Sequence, residues 1–287
     1  MSSESLDKLK PNLTRVAAKG TPVVARFASW VLDHYAEVAF SSIRGLAEKA
    51  GVNSNTVIRL AKELGYEGYD AFRADIQAAF RHRTIGYAAR AEALHNRAGS
   101  DLFGEIIAAN RANAEAVFSP EMQGLLESLI EPLLTARRVY SIGVRSCYSV
   151  AHYLSYVGSM AFDNFVTVPA QPGAIMDQLS RAGPDDIVVA ITFEHYATEV
   201  VRACQIARDC GGRVLALTDS HRSPIALGAW HVVPLPMAGP QFIPSLNSAF
   251  VVVEMLLAGM AARSDRAVSN VRSFEERIQR FGGYVPV

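Results

Sequence analysis

The feature that most constrains this chain is a doubled apolar period in residues 42–64, broken by a single glycine. Ile43, Leu46, Ala47 and Ala50 recur at helical spacing, so they line one face of a short helix that Ser41 or Ser42 can cap. Gly51 ends it, since glycine accepts the left-handed backbone that a helix stop commonly needs, and Val52 plugs the corner. Asn53 or Ser54 can cap a second helix, in which Val57, Leu60, Ala61 and Leu64 keep the period and pack back on the first. Gly65 closes it. The pattern predicts a helix-turn-helix.

In that motif the second helix enters the DNA major groove with its N-terminal residues nearest the base edges. Ser54, Asn55 and Thr56 are therefore candidates for bases or nearby phosphates, and Arg59 for either. Asn pairs bidentately with adenine and Arg with guanine, each worth about 1–3 kcal/mol of discrimination. Ser42 at the start of the first helix, with Arg44, Lys49 and Lys62, is better placed for phosphate, adding affinity and salt dependence without sequence information. The competing reading of each charge is an ordinary solvated helix face. Flanking segments support the motif. Thr21-Pro22 is a helix start followed by the stripe Phe27, Ala28, Val31, Leu32 and Tyr35, which would brace the pair. Tyr69, Phe72, Ile76 and Phe80 give a further amphipathic helix carrying Arg73, Arg81 and Arg83 as backbone contacts. An all-α DNA-binding domain over residues 1–83 is expected.

Charge agrees with this division. The chain of 287 residues is neutral overall, but residues 1–100 hold 14 Lys+Arg against 10 Asp+Glu, and the remainder holds 14 against 18. The basic excess lies with the DNA motif, as nucleic acid requires. Cys147, Cys204 and Cys210 are too few and too irregular for a disulfide framework or a zinc knuckle, and the histidines show no ligand spacing with them, so no metal or other cofactor is expected. The first residues lack the basic and apolar regions of a secretion signal. The longest apolar run, from Ala249 to Ala262, is interrupted by Glu254 and suits a buried helix, so no membrane partner and a cytoplasmic location are expected.

Residues 84–100 carry no strong apolar stripe and end in Gly-Ser, which reads as a partly helical linker before a second domain over 101–287. Helices from about Leu102 to Phe118 and from Pro120 to Leu134 meet at Ser119-Pro120, a cap with a first-turn proline. Short apolar strands then alternate with helices: Val139–Ile142, Phe165–Val168, Ile187–Ile191, Val214–Leu217 and Val232–Leu235. Their β-branched content and lack of alternation predict a five-stranded parallel sheet in a three-layer α/β/α domain, with ligand beyond the C-terminal strand ends. The loop Gly143-Val144-Arg145-Ser146 offers amides, a hydroxyl and a guanidinium as an anion cradle. Thr192, Glu194, His195 and Thr198 follow the third expected strand, and Thr218, Arg222 and Ser223 the fourth. These are the candidate ligand-binding residues. Against them stands the plain fact that turns are rich in Ser and Thr, and that His195 reads equally as a loop residue with a satisfied ring.

A helix-turn-helix ending in Leu-Gly-Tyr-Glu-Gly-Tyr and followed by such a sheet resembles the RpiR family of bacterial transcriptional regulators, which join a DNA-binding domain to a sugar isomerase (SIS) domain. On the DNA side the likeness rests on the run from Ala50 to Tyr66; on the sensor side it rests on Ser141-Ile-Gly-Val-Arg-Ser146 with Val150-Ala151, and on Ala216 to Ala226. The resemblance implies a SIS domain that binds a phosphorylated sugar or sugar acid and changes operator affinity, in a homodimer or homotetramer.

One departure is informative. Where the family often shows Ser-x-Ser-Gly-x-Thr for phosphate, this chain has Thr192-Phe-Glu-His-Tyr-Ala197, keeping the first hydroxyl and adding a carboxylate, while Arg145 replaces a common glycine. A carboxylate about 4 Å from a phosphate repels it by roughly 4 kcal/mol at an effective dielectric of 20. Glu194 is therefore expected to hydrogen-bond a ligand hydroxyl or to pair with Arg145. Two functions remain on these residues. One is an effector-responsive transcription factor, without catalysis, repressing a carbohydrate or sugar-acid operon. The alternative is a sugar-phosphate aldose–ketose isomerase in which Glu194 or His195 moves the proton, but an isomerase leaves the DNA motif idle.

Overall fold

The computed structural model describes residues 4–83, 86–97, 101–169 and 171–285. The side chains of Phe80, Arg81 and Arg83, and residues 84, 85 and 98–100 of the expected linker, lie outside the described residues. The chain divides into two compact units, Met1–Gly86 and Tyr87–Val287.

The first unit is helical among its described residues: α1 (Glu4–Lys19), α2 (Pro22–Asp33), α3 (Tyr35–Phe40), α4 (Ile43–Lys49), α5 (Ser54–Glu63) and α6 (Tyr69–Arg83). Capping explains the boundaries of the central pair. The Ser42 hydroxyl accepts the Gly45 amide at 3.1 Å, and Asn53 Oδ1 accepts the Thr56 amide at 2.8 Å. Gly51 (φ 62) and Gly65 (φ 93) then sit in the left-handed region past the ends of α4 and α5. There the Val52 amide reaches back to the Ala47 carbonyl and the Tyr66 amide to Ala61, both at 2.9 Å. These bonds satisfy carbonyls that a helix end leaves orphaned. The core joins Leu13, Phe27, Val31, Val38, Leu46, Leu60, Phe72 and Ile76, so each of the six helices contributes to it. Tyr69 ties α6 to the end of α3, its hydroxyl lying 3.0 Å from the Val38 carbonyl and 2.9 Å from that of Ser41.

In the second unit α7 (Tyr87–His95), α8 (Leu102–Val117) and α9 (Pro120–Thr135) precede the sheet. The chain then runs β1 (Arg138–Ile142), α10 (Cys147–Ala161), α11 (Pro172–Leu179), β2 (Asp186–Ile191), α12 (Thr198–Asp209), β3 (Arg213–Thr218), β4 (His231–Pro234), α13 (Asn247–Arg263) and α14 (Ala267–Arg280). Successive strand residues alternate between two cores. Val139, Ile187, Val189, Leu215, Leu217 and Val233 pack under α9, α10 and α13. Tyr140, Ile142, Val188, Ala190, Val214 and Ala216 pack under α11 and α12. Both faces are covered, as a parallel sheet of continuous apolar strands needs.

Among the described residues the sheet has four strands in the order β1-β2-β3-β4, all parallel, not the expected five. The missing strand, Phe165–Val168, is reduced to a single parallel bridge from Phe165 to Val139 on the free side of β1. Side chains capture its next backbone groups: Gln178 donates to the Thr167 carbonyl at 3.1 Å, and the Val168 amide donates to Ser155 Oγ at 3.0 Å. The bridge still matters for topology. The chain leaves β1 toward one side and returns through β2 on the other, creating a switch point between β1 and β2.

Below the opposite strand ends, Arg137 grips the fully buried Asp186 with two bonds, Nε–Oδ1 at 2.9 Å and Nη2–Oδ2 at 2.5 Å, and the Gly183 amide adds a third at 2.9 Å. Burial alone would raise the Asp186 carboxyl, but these donors hold it below the usual carboxylate range. A depressed folded-state pKa contributes stability that is present above the ordinary carboxylate range and lost as pH falls through the depressed value. Acid melts should therefore show Asp186→Asn less stable than the parent at neutral pH, with the gap closing toward pH 2. A gap that stays constant with pH would contradict the assignment.

Candidate functional site

The face built by α4 and α5 presents Arg44, Asn55, Arg59 and Lys62 to solvent. Among the described residues Arg59 makes a single long contact, 3.5 Å from the Thr21 hydroxyl. Ser54 opens α5 half-buried, and the Ser42 hydroxyl is spent on its own helix cap. Lys49 is exposed but ion-paired with Glu37. Thr56 departs from expectation. It is 6 % exposed and its hydroxyl donates to Asn53 Oδ1 at 2.9 Å, so the cap that starts the helix also turns Thr56 away from a groove. Arg73 is half-buried and donates through Nε to the Ala39 carbonyl at 3.1 Å, so it braces the unit instead of standing free.

In the second unit a cavity of about 300 Å³ opens at the switch point between β1 and β2. The loop after β1 supplies Arg145 and Ser146, and the loop after β2 supplies Thr192, Glu194, His195 and Thr198. Six of the ten candidate ligand residues thus meet there. Gly143 lies just beneath: a Cβ on it would stand 2.5 Å from the Cys147 carbonyl oxygen, so only glycine lets α10 start this close to the strand. Thr218 is fully buried and donates to the Thr192 carbonyl at 2.7 Å, while Thr192 Oγ1 accepts the Ala197 amide at 3.0 Å. Both threonines therefore shape the loop after β2. Arg222 is exposed and Ser223 buried, and neither lines the cavity.

Charge around the cavity is arranged in pairs. The expected Glu194–Arg145 pair is not formed. Arg145 instead holds Glu199 with two bonds, of 3.0 and 3.2 Å, and Glu194 accepts from Arg90 Nη2 at 3.0 Å. The Arg145 guanidinium is the main reason the Glu199 carboxyl lies below its usual range. The reason for the exchange lies in the backbone. Arg145 (φ 54) and His195 (φ 73) are the positive-φ residues other than glycine among those described, and both line the cavity. The left-handed turn at Arg145 sends its side chain toward the first turn of α12. Arg90 belongs to α7, within the segment expected to be linker. Tyr87 of the same helix packs on the His195 ring, with centroids 4.4 Å apart, and lines the cavity.

Behind the loop the Tyr196 hydroxyl donates to Asp219 Oδ2 at 3.2 Å. Burial raises both groups, and Asp219 raises the tyrosine further. Cys147 is pushed up by burial to about 11, so it is a neutral thiol at physiological pH. On the far wall stand Ile243, Pro244 and Leu246, in a loop that α8 secures through Asn113, which donates to the Ala238 carbonyl at 2.8 Å. No group of His, Cys, Asp and Glu able to hold a metal occurs among the described residues. What the cavity does offer is two helix N-termini, those of α10 and α12, with the Ser146 and Thr198 hydroxyls exposed between them. That arrangement favours an anion.

The missed residues share one trait. Tyr87 and Arg90 stand one turn apart on a helix with no buried residue among those described, so apolar patterning has nothing to register there. Ile243 and Leu246 look like ordinary loop apolars until the fold brings them to the strand ends.

Comparison with known proteins follows the two units. Residues 12–83 match the family model "Helix-turn-helix domain, rpiR family", and residues 133–262 match the SIS domain model. An uncharacterized HTH-type transcriptional regulator of Escherichia coli, YfhH, is 26 % identical over 182 residues, 62 % of this chain and 63 % of that protein. The bifunctional protein glk of Burkholderia mallei is 27 % identical over 89 % of this chain and 40 % of its own length. The chain therefore spans less than two thirds of these relatives. Among solved structures, the sugar isomerase domain of an RpiR transcription factor from Sphaerobacter thermophilus is 26 % identical, with TM-score 0.54 over 61 % of this chain and 96 % of that one. The Vibrio vulnificus NanR protein complexed with ManNAc-6P shares the fold at 19 % identity, with TM-score 0.54 over 96 % of this chain and 100 % of that one.

The Gly143 contact is directly testable. Gly143→Ala should lower the melting stability of the second unit by about 1–3 kcal/mol, the usual effect of overpacking against backbone, and should displace the first turn of α10 in a crystal structure. A variant with unchanged stability and an unmoved α10 would show that the close approach is not required.

Proposed function

Because the chain belongs to the rpiR family of helix-turn-helix transcriptional regulators carrying a SIS domain, we propose that it reads operator DNA through α5 and senses a phosphorylated sugar or sugar acid in the cavity between β1 and β2. The observation that carries the sensor half is the meeting of two helix N-termini with the exposed hydroxyls of Ser146 and Thr198. Glu194 does not by itself exclude an anion from this site, because the Arg90 guanidinium stands 3.0 Å from it as a counter-charge. The effector's phosphate or carboxylate sits on the α10 and α12 amides with Ser146 and Thr198, and the polyol portion extends toward Tyr87 and the apolar wall.

On the DNA side Asn55 and Arg59 read bases, while Arg44 and Lys62 hold phosphates. In this reading the chain acts in the cytoplasm as a repressor of a carbohydrate or sugar-acid operon, without catalysis of its own. It works as a homodimer or homotetramer, because paired recognition helices need half-sites about 34–36 Å or multiples apart. Of the two candidates for moving a proton in an isomerase, Glu194 is engaged by Arg90 and the His195 ring packs against Tyr87, which favours sensing over turnover.

DNA fragments retained by the purified chain from a genomic pool supply the operator, and calorimetry against hexose phosphates, phosphogluconate and their parent sugars supplies the ligand class. Ser146→Ala and Thr198→Ala should each weaken binding of the phosphorylated ligand about tenfold or more, the scale of a hydrogen bond to a charged group. Arg59→Ala should cost about 1–3 kcal/mol on the selected operator, and Lys62→Ala should reduce the salt slope of binding by about one. Indiscriminate DNA retention, or equal affinity for phosphorylated and parent sugars, would contradict the proposal.

A further inference from the structure

We propose that Tyr87 and Arg90 of α7 are effector-binding residues, Arg90 for the ligand's anionic group and Tyr87 for a face of its sugar ring, with Glu194 holding Arg90 in reserve until the ligand arrives. This rests on the reading of the cavity as an anionic-sugar site and adds to it the residues that report occupancy.

The argument begins with what keeps α7 in place. None of its described residues is buried, so it has no apolar face to dock. Its side chains reach the rest of the unit through the Arg90–Glu194 bond at 3.0 Å and the Tyr87–His195 ring contact at 4.4 Å, and both end on the loop after β2. That loop is itself held in an unfavourable backbone, with His195 at φ 73, so the partner of Tyr87 is a residue whose conformation is bought by its surroundings. Tyr87 lines the cavity directly, and burial raises its phenol, keeping it neutral as a stacking and hydrogen-bonding surface.

Charge supplies the second step. Two ion pairs reach the cavity through one lining residue each, Arg145 of the Arg145–Glu199 pair and Glu194 of the Arg90–Glu194 pair, so Arg90 stands directly behind the lining carboxylate. The first is bidentate and 68 % exposed on its arginine, so solvent already weakens it. The second is a single bond between side chains 23 % and 31 % exposed. A guanidinium has five donors, and Arg90 gives one of them to Glu194, leaving a fork suited to a phosphate or carboxylate. A dianionic phosphate competes for that fork better than one carboxylate does. Taking Arg90 over frees Glu194 to accept a ligand hydroxyl. The exchange loosens one of the side-chain contacts that hold α7, which directly follows Gly86, where the DNA-reading unit ends.

The test is a double-mutant cycle on the full chain, with glucose 6-phosphate, 6-phosphogluconate and inorganic phosphate as probes, read by calorimetry and by hydrogen exchange of residues 87–95. Arg90→Gln should weaken the best-bound probe about tenfold or more and speed exchange in α7. Glu194→Gln should tighten it in the parent background by about tenfold, but by less than twofold alongside Arg90→Gln, because the released arginine is the source of the gain. Ser146→Ala, by contrast, should weaken the probe and leave α7 exchange unchanged. If Arg90→Gln binds as the parent does while Ser146→Ala is impaired, or if Glu194→Gln tightens binding equally in both backgrounds, this assignment is overturned and the cavity reading survives. If none of the probes binds or protects the cavity loops, both fall.

Discussion

Parallel pairing of β1 with β2, from Arg138 opposite Asp186 to Ile142 opposite Ala190, sets where the chemistry of the second unit can be. Parallel strands end at the same edge, so the loops after them are neighbours by necessity. Because the chain departs from β1 toward Phe165 on one side and from β2 toward β3 on the other, those loops diverge and leave a gap. The Thr218–Thr192 bond braces the gap from behind. The Arg137–Asp186 clamp fixes the register from the far end of the strands. Gly143 lets α10 begin close enough that its amides face the opening. Each of these is a packing or hydrogen-bonding requirement before it is a functional one.

The first unit depends on a smaller set of bonds. The left-handed Gly51 and the Asn53 cap turn α4 into α5 within a few residues, the Ser42 cap and Gly65 bound the pair on either side, and the apolar faces that remain are buried against α2 and α6. The outward face is left with Arg44, Asn55, Arg59 and Lys62. A regulator needs these two units to communicate, and communication is a difference in free energy: the ligand must prefer one state of the chain to another. The segment from Gly86 onward is the covalent route between the units, and α7, which buries none of its residues, is the member of the second unit on which the proposed effector would act.

Much of this was legible in the residues, for reasons that also explain what was not. The stops at Gly51 and Gly65 and the join at Ser119-Pro120 are local chemistry and lie where the spacing implies, while the sequence narrows the caps of α4 and α5 to two neighbouring residues each, of which the structure uses Ser42 over Ser41 and Asn53 over Ser54. Four strands emerged as apolar runs because both sheet faces are covered. Phe165–Val168 has the same composition, yet its ladder stops after one bridge, because Ser155 and Gln178 supply partners that only the tertiary fold provides. The same limit applies at the cavity. Ser146 and Thr198 were marked by their place after strands, whereas Arg90 lies 104 residues from Glu194, and no local signal joins them. Pairing Glu194 with Arg145 followed charge alone, and the left-handed backbone at Arg145 redirects that side chain to Glu199.

The central claim is that one chain couples occupancy of the cavity to the reading of DNA. Thermodynamic linkage makes the coupling reciprocal, so it can be measured from both ends. Sugar-phosphate affinity determined by calorimetry with and without a saturating operator fragment, and operator affinity determined with and without the sugar phosphate at the same salt, should change by the same factor, typically about 5–150-fold. Equal affinities in both pairs of titrations would contradict the account, even if each ligand bound tightly by itself.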